Sequence, residues 1–369
     1  MTIRLPRAVA ASLLLCYASA PLAIENIQFN GFFTVGAAVS NSDVDTQNGN
    51  ISDDVGFAED TRIGVQISAD INKRMSVTAQ LLGSADQGQS FDAEFDWGYL
   101  NYALSENIDV RGGKIKFPTF LISEYIEVGY AYPWIRPPVE VYSSNPITSI
   151  TGADLLMRFR VGDSDLLVQP YFGTASNEDA LVPQEALPAL GLPPGTVEYA
   201  NFDAKNMAGI NVALSGTLGT VRAGYLATQV SASDFGITSN EDVTFWSVGG
   251  NLDWQNIIVY SEYFEREIDG AANAFFPSQK GWYATLGYRI GRFLPHITYA
   301  TLKDNNSNSD PGVALEQQSV TAGLRYELGT GAALKLEVQR IEPDDGTRGL
   351  LMSPVDDINI YSLAVDVIF

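Results

Sequence analysis

Tyr361-Ser362-Leu363-Ala364-Val365-Asp366-Val367-Ile368-Phe369 is the stretch on which the fold turns. Tyr361, Leu363, Val365, Val367 and Phe369 are apolar, and Ser362, Ala364, Asp366 and Ile368 stand between them. Successive side chains of a strand point to opposite faces, so this segment carries one wholly apolar face and one mixed face. Left unpaired, such a strand would be an aggregating edge, and closure against another strand removes the edge.

The same period of two recurs upstream. Ile27, Phe29, Gly31, Phe33, Val35, Ala37 and Val39 form one face, Ile63, Val65, Ile67, Ala69 and Ile71 a second, and Trp282, Ala284, Leu286, Tyr288 and Ile290 a third. Val320, Ala322, Leu324, Tyr326 and Leu328 form a fourth. Taken with their punctuation, such segments predict sixteen strands, at 26–40, 59–71, 74–84, 94–104, 107–116, 151–161, 166–174, 206–215, 220–231, 243–253, 256–267, 281–290, 293–303, 317–328, 333–341 and 357–369. Their connections alternate strictly in length. Seven are tight turns, such as Asn72-Lys73, Trp254-Gln255 and Gly291-Arg292, of the kind that joins adjacent antiparallel strands. Eight are long and rich in Asp, Asn, Ser, Gly and Pro, near 41–58, 85–93, 117–150, 175–205, 232–242, 268–280, 304–316 and 342–356. A soluble sandwich has no reason to sort its connections by length, whereas an outer-membrane barrel has short turns at one rim and long loops at the other.

Composition narrows the function classes. Lys and Arg number 22 against 44 Asp and Glu, a net charge of −22, so the basic footprint that nucleic acid requires is missing. A hydrophobic fraction of 46% with only 18% charged residues is too apolar for a disordered acidic chain. Arg4 and Arg7 precede an apolar run from Ala8 to Cys16 and then Ala18, Ser19, Ala20 and Ala23, the layout of a secretory leader over 1–23. Cleavage after Ala20 or after Ala23 fits, and the latter gives a barrel domain of 24–369. Cys16 is the only cysteine, so a processed chain has neither disulfide nor thiol chemistry. Beyond the leader no apolar run approaches about 18 residues, which excludes a membrane-spanning helix and leaves a closed barrel as the way to cross lipid.

The leader, the loop plan, the first strand with Phe29, Gly31 and Phe33, strands such as Gly281–Arg289, and the terminal Phe369 resemble a sixteen-stranded bacterial porin of the Gram-negative outer membrane. The resemblance implies an all-β, up-and-down antiparallel transmembrane barrel, passive diffusion of small hydrophilic solutes or ions, and no enzyme activity or cofactor. It implies outer-membrane lipid and lipopolysaccharide as surroundings and a homotrimer as the assembly. It also implies an assembly machinery that reads Tyr361, Leu363, Val365, Val367 and Phe369.

The third long connection, 117–150, stands apart. Tyr130, Tyr132, Trp134 and Tyr142 crowd around Pro133, Pro137 and Pro138, which fix the backbone and forbid ladder pairing. The resemblance makes this the constriction loop, offering Glu124, Glu127, Arg136 and Glu140 as polar groups and Tyr130, Tyr132 and Trp134 as wall or stacking surface. An outward loop packed on lipopolysaccharide or a neighbouring subunit stands as the alternative. With the more apolar face taken as outward, the lumen receives Arg62, Arg111, Arg158, Arg160, Arg222, Arg266, Arg289, Arg325 and Lys335 against Asp70, Asp96, Asp154, Glu262, Glu327, Glu337 and Asp366. A charge facing lipid near midplane costs about 2–4 kcal/mol, so the inward assignment is the favourable one. Arg62, Arg111 and Arg158 are expected as a basic track beside the loop carboxylates. The phase is ambiguous around Trp97–Tyr102 and at Gly112-Gly113, where a bulge would reverse it.

Other chemistry is sparse. His296, the sole histidine, has inward phase and no serine motif beside it, which makes it a pore-lining residue. No phosphate-binding glycine loop or Cys/His metal spacing occurs. Asp43, Asp45, Asp53 and Asp54, and Asp304, Asn306, Asn308 and Asp310, supply hard oxygen ligands without the glycine and closing glutamate of an EF-hand, and are read as solvated loops, with ordered calcium sites as the alternative. Two further functions stay open: a solute-selective channel using Tyr130, Tyr132, Trp134 and Arg136, and a non-conducting barrel acting as receptor or adhesin through its loops.

Overall fold

The computed structural model describes residues 24–46, 51–86, 90–181, 193, 199–232, 237–270, 273, 277–305 and 315–369; the expected leader lies outside them. Sixteen strands form one closed antiparallel barrel. They are β1 (Glu25–Ser40), β2 (Arg62–Asn72), β3 (Met75–Asp86), β4 (Ser90–Ala103), β5 (Ile108–Lys116), β6 (Ser149–Val161), β7 (Ser164–Leu181) and β8 (Tyr199–Gly216). Then come β9 (Gly219–Ala232), β10 (Ile237–Trp254), β11 (Ile257–Ile268), β12 (Gln279–Tyr288), β13 (Phe293–Asp304), β14 (Gln317–Gly329), β15 (Ala332–Pro343) and β16 (Ile358–Ile368).

β16 closes the barrel against β1, in a register running from Phe32 opposite Ile368 to Ser40 opposite Ile360. At its foot Gly31 N–H donates to Phe369 O at 2.8 Å and Phe369 N–H donates to Gly31 O at 2.9 Å. The Phe369 ring lies over Gly31, where a Cβ would come within 2.4 Å of a ring carbon, so a larger residue there would displace the ring. The terminal aromatic thus packs on the outer face of the first strand and leaves no free edge.

Burial is inverted relative to a soluble protein. Phe29, Val221 and Leu286 face outward at 68%, 64% and 55% exposure, while Thr34, Ser247 and Thr298 are buried on the inner face. Among the described residues no helix is long and apolar enough to cross a membrane. The outward apolar band on the strands meets that need, in a closed barrel whose strands are each hydrogen-bonded to two neighbours.

Two features depart from the alternation. The β7–β8 hairpin was expected to end near 174 and 206, yet its pairing continues to Leu181 opposite Tyr199. Ser176, Asn177, Glu178 and Asp179 are polar on both faces, so the ladder outlasts the hydrophobic signal that marks the strand. β10 likewise begins at Ile237. The ambiguous phase in β4 resolves as a bulge: Gln80 pairs with Trp97 and Leu81 with Phe95, leaving Asp96 as the extra residue. Asp96 turns inward to Lys116 Nζ at 2.8 Å and Gln80 Nε2 at 2.8 Å. Gly112 and Gly113 stay in register with both neighbouring strands.

The interior is not uniformly polar. Ile115, Phe117, Phe120, Ile122, Trp134, Val141 and Ile150 pack with Phe245, Phe264, Tyr283 and Leu302 into one buried apolar cluster. Ile51 and Leu351, from the first and eighth long loops, cap a second cluster on Ala38, Ile341, Ile358 and Ile360.

Candidate functional site

Residues 117–148 connect β5 to β6 through two single turns, Ser123–Tyr125 and Gly129–Ala131, and the short helix α1 (Val139–Tyr142). Their partners lie on the buried, polar face of distant strands. Arg222 donates to Pro118 O, Ser247 Oγ donates to Thr119 O at 2.8 Å, and Leu121 N–H donates to Glu262 Oε2 at 2.7 Å. Further along, Arg325 Nη1 donates to Tyr130 O at 2.6 Å, and Lys335 Nζ donates to Gly129 O at 2.6 Å and Trp134 O at 2.5 Å. Ile135 N–H donates to Glu337 Oε1 at 2.9 Å, and Gln317 Nε2 donates to Glu140 Oε1 at 2.7 Å. Prolines leave the backbone carbonyls of this segment without helical partners, and inward cations of β9, β14 and β15 satisfy them.

Trp134 is the anchor. It is 1% exposed, its Nε1–H is shared between Thr285 Oγ1 and Thr298 Oγ1 at 3.0 Å each, and its ring meets Tyr260 and Tyr283 edge-on. Beneath it Lys335 Nζ is paired with Asp366 Oδ2 at 2.9 Å, both side chains being almost wholly buried. A buried pair of this kind holds only where further hydrogen bonds complete it. The two loop carbonyls on Lys335 and the Thr34 Oγ1–H on Asp366 at 2.7 Å do so.

The opposite flank of the segment faces a different wall. Glu124, half exposed, lies 3.6 Å from Arg111, and Glu127 lies 3.5 Å from Arg62. Arg111 is held from behind by Asp154 and stacks over the Tyr99 ring at 4.9 Å. Asp154 accepts from Gln169 Nε2 at 2.8 Å, Gln169 Oε1 accepts from Asn211 Nδ2 at 3.0 Å, and Asn211 Oδ1 accepts from Arg222 Nε at 2.7 Å. One hydrogen-bonded belt thus crosses β5 to β9 and touches the loop at both ends. Gln169 and Asn211, whose inward phase follows from the alternation, and Tyr99, whose phase is ambiguous in the sequence, carry no formal charge and are not among the expected site residues.

The structure corrects several expected roles. Tyr132 and Trp134 are each 1% exposed, so they fasten the loop and present no stacking surface to a solute. Tyr130 is half-buried, with its hydroxyl donating to Glu327 Oε2 at 3.2 Å and its ring 4.5 Å from the Arg325 guanidinium. Glu140 is 0% exposed, and burial raises its pKa above the ordinary carboxylate value. Arg136 pairs with Asp60 at 2.5 Å and bonds Ser362 Oγ, so both ends of its guanidinium are held by the wall. Arg158 pairs with Asp109 instead of a loop carboxylate, because Asp109 lies across the β5–β6 ladder beside it. His296 has the expected inward phase but is 6% exposed, 3.7 Å from Glu337, and does not line open water. Among the described residues no three acidic, histidine or cysteine groups converge on a metal position; Asn306, Asn308 and Asp310 lie outside them.

The model of the Gram-negative porin family matches residues 171–346 of the chain. No curated protein sequence matches it. Among solved structures, a loop-deletion form of OmpT from Vibrio cholerae is 12% identical with a TM-score of 0.60, over 93% of this chain and 99% of that one. The anion-selective porin from Comamonas acidovorans is 11% identical with a TM-score of 0.60, over 93% and 99%. OmpF of Salmonella typhi, in complex with daunomycin, is 15% identical with a TM-score of 0.59, over 93% and 97%. Another structure of Vibrio cholerae OmpT, 12% identical with a TM-score of 0.57 over 93% and 99%, is of a trimer form.

Proposed function

We propose that this chain is an outer-membrane channel for passive diffusion of the Gram-negative porin family, whose model matches residues 171–346, and that it narrows at the third loop. The constriction lies beside the edge where Glu124 and Glu127 of the third loop meet Arg111 and Arg62 of the wall. Carboxylates on the loop side and guanidiniums on the wall side give that edge a field that orients small polar solutes passing it and weighs anions against cations. The observation that carries this is the half-exposed Glu124 facing Arg111 at 3.6 Å, on a loop whose other flank is buried. Burial of Tyr132 and Trp134 speaks against a solute-selective site built on them. We further infer a homotrimer, as in the trimer form of Vibrio cholerae OmpT, with lipid and lipopolysaccharide around it and Tyr361 to Phe369 as the segment read by the assembly machinery.

Planar-bilayer recording in a salt gradient tests the reading. Stepwise conductance is expected, with Glu124→Gln moving the zero-current potential toward anion preference and Arg111→Gln moving it toward cations. A barrel without steps is a receptor or adhesin, and unchanged potentials in both variants would put the constriction elsewhere.

A further inference from the structure

Behind the third loop, at the end of the barrel away from the tight turns, lies a cavity of about 70 Å³ that the channel reading does not use. Phe202, Leu226, Val230, Val243, Phe245 and Ile268 line it from β8 to β11, with Ser144 and Asn145 of the loop across from them. Neighbouring outward positions of these and adjoining strands are Glu265, Glu267, Lys280 and Lys303, charges that place this rim beyond the lipid band.

One cation closes the slot. Arg266 Nη1 donates to Ser144 O, and Nη2 donates to Pro277 O at 2.7 Å and to Gln279 Oε1 at 2.8 Å. All three acceptors are neutral. Among the described residues no carboxylate reaches ion-pair distance; the nearest in the network, Asp304, is separated from it by Gln279, which donates to Asp304 Oδ1 at 3.3 Å. Arg266 Nε is buried with no acceptor. Buried charges are ordinarily paired, and a guanidinium offers five donors in a planar fork suited to two carboxylate oxygens. Every other inward arginine of the loop environment has a compensating acid or belongs to the belt: Arg62 has Glu127, Arg111 has Asp154, and Arg325 has Glu327.

We propose that this slot binds a small aliphatic carboxylate, its head group on Arg266 and its hydrocarbon tail among Phe202, Leu226, Val243 and Phe245. Charge selects the head and the dry lining selects the tail. The lining is almost wholly apolar, which suits a short hydrocarbon tail such as that of butyrate and not a sugar with hydroxyls on every side. The site lies against Ser144, whose carbonyl Arg266 already holds, so an occupant also touches the third loop. It depends on the barrel alone and is tested by binding, whether or not the channel conducts.

The experiment is calorimetric titration of the folded barrel in detergent with sodium butyrate and with the isosteric neutral butyramide, folding being checked by the heat-dependent gel shift of closed barrels. Butyrate is expected to bind saturably and butyramide about tenfold or more weakly, as a lost charge-assisted contact implies. Arg266→Gln should abolish that preference. Val230→Phe, which fills the slot without touching Arg266, should weaken both ligands and so separates binding from the staple that Arg266 provides to the loop. Absence of saturable butyrate heat, equal binding of acid and amide, or undiminished butyrate binding in folded Val230→Phe would each overturn the site.

Discussion

The two flanks of the third loop meet the same barrel on opposite terms. Toward β11 to β16 it is a packed core: Trp134, Tyr132, Ile135 and Val141 are buried, and the polar groups of that wall are consumed in holding the loop's backbone. Toward β2 and β5 it presents Glu124 to Arg111, which Asp154 braces from behind, and Glu127 to Arg62, which also donates to the Tyr132 hydroxyl at 3.3 Å. Inward phase is therefore a necessary condition for lining a pore and a poor guide to doing so. What separates the two walls is whether another segment of chain covers them.

Breaking the packed flank should have the largest effect. Asp366→Ala leaves Lys335 buried without its acid, a change that costs about 3–5 kcal/mol. Urea unfolding in detergent should show a lower midpoint, and a midpoint within error of the parent would mean that the pair is solvated. Trp134→Ala removes a buried indole and both threonine contacts, about 3–5 kcal/mol if the loop does not collapse into the gap. It should also loosen the loop, so single-channel steps should become larger or noisier; identical steps would show that the loop is held without it.

A smaller effect tests burial on that flank through pH. Desolvation raises the titration point of Glu140, whose Oε2 has no hydrogen-bond partner. A group raised in the folded state favours folding below its unfolded pKa and loses that contribution as pH rises through the folded value. Glu140→Gln should therefore stabilise the barrel at neutral pH and change little at acid pH, where the carboxyl is protonated in both states. Equal destabilisation at both pH values would mean that Glu140 is paired and charged. The smallest stability change belongs to the open flank: Glu124→Gln should cost under about 1 kcal/mol, since its partner is met in water. Its consequence is expected in ion preference alone.

Much of this architecture was legible in the residues, because a period of two is local. Ile27 to Val39 and Tyr361 to Phe369 declare their outward faces without reference to any other segment, and the alternation of short and long connections declares the rims. The hairpin beyond Thr174 was not legible, since its polar residues pair by backbone alone. Nor was the fate of the loop. Glu140 meets Gln317 and Trp134 meets Thr298 across well over a hundred residues of chain, and nothing in a proline- and aromatic-rich stretch states which wall it will cover. The charges were sorted inward correctly, for instance Lys335 and Glu337, yet their work is to bind loop backbone, and neutral Gln169 and Asn211 matter as much as the charges beside them.

The contrast between the flanks is tested most directly by cysteine accessibility, since Cys16 is the only cysteine of the chain and stands in the expected leader. Glu124→Cys and Ile135→Cys, eleven positions apart on one loop, would be exposed to a charged thiosulfonate reagent while conductance is recorded. Reaction at 124 should step the current down and alter ion preference, with no reaction at 135. Equal labelling of the two, or labelling at 124 that leaves the current untouched, would contradict a pore bounded by Glu124 and Arg111 and a loop sealed along its other side.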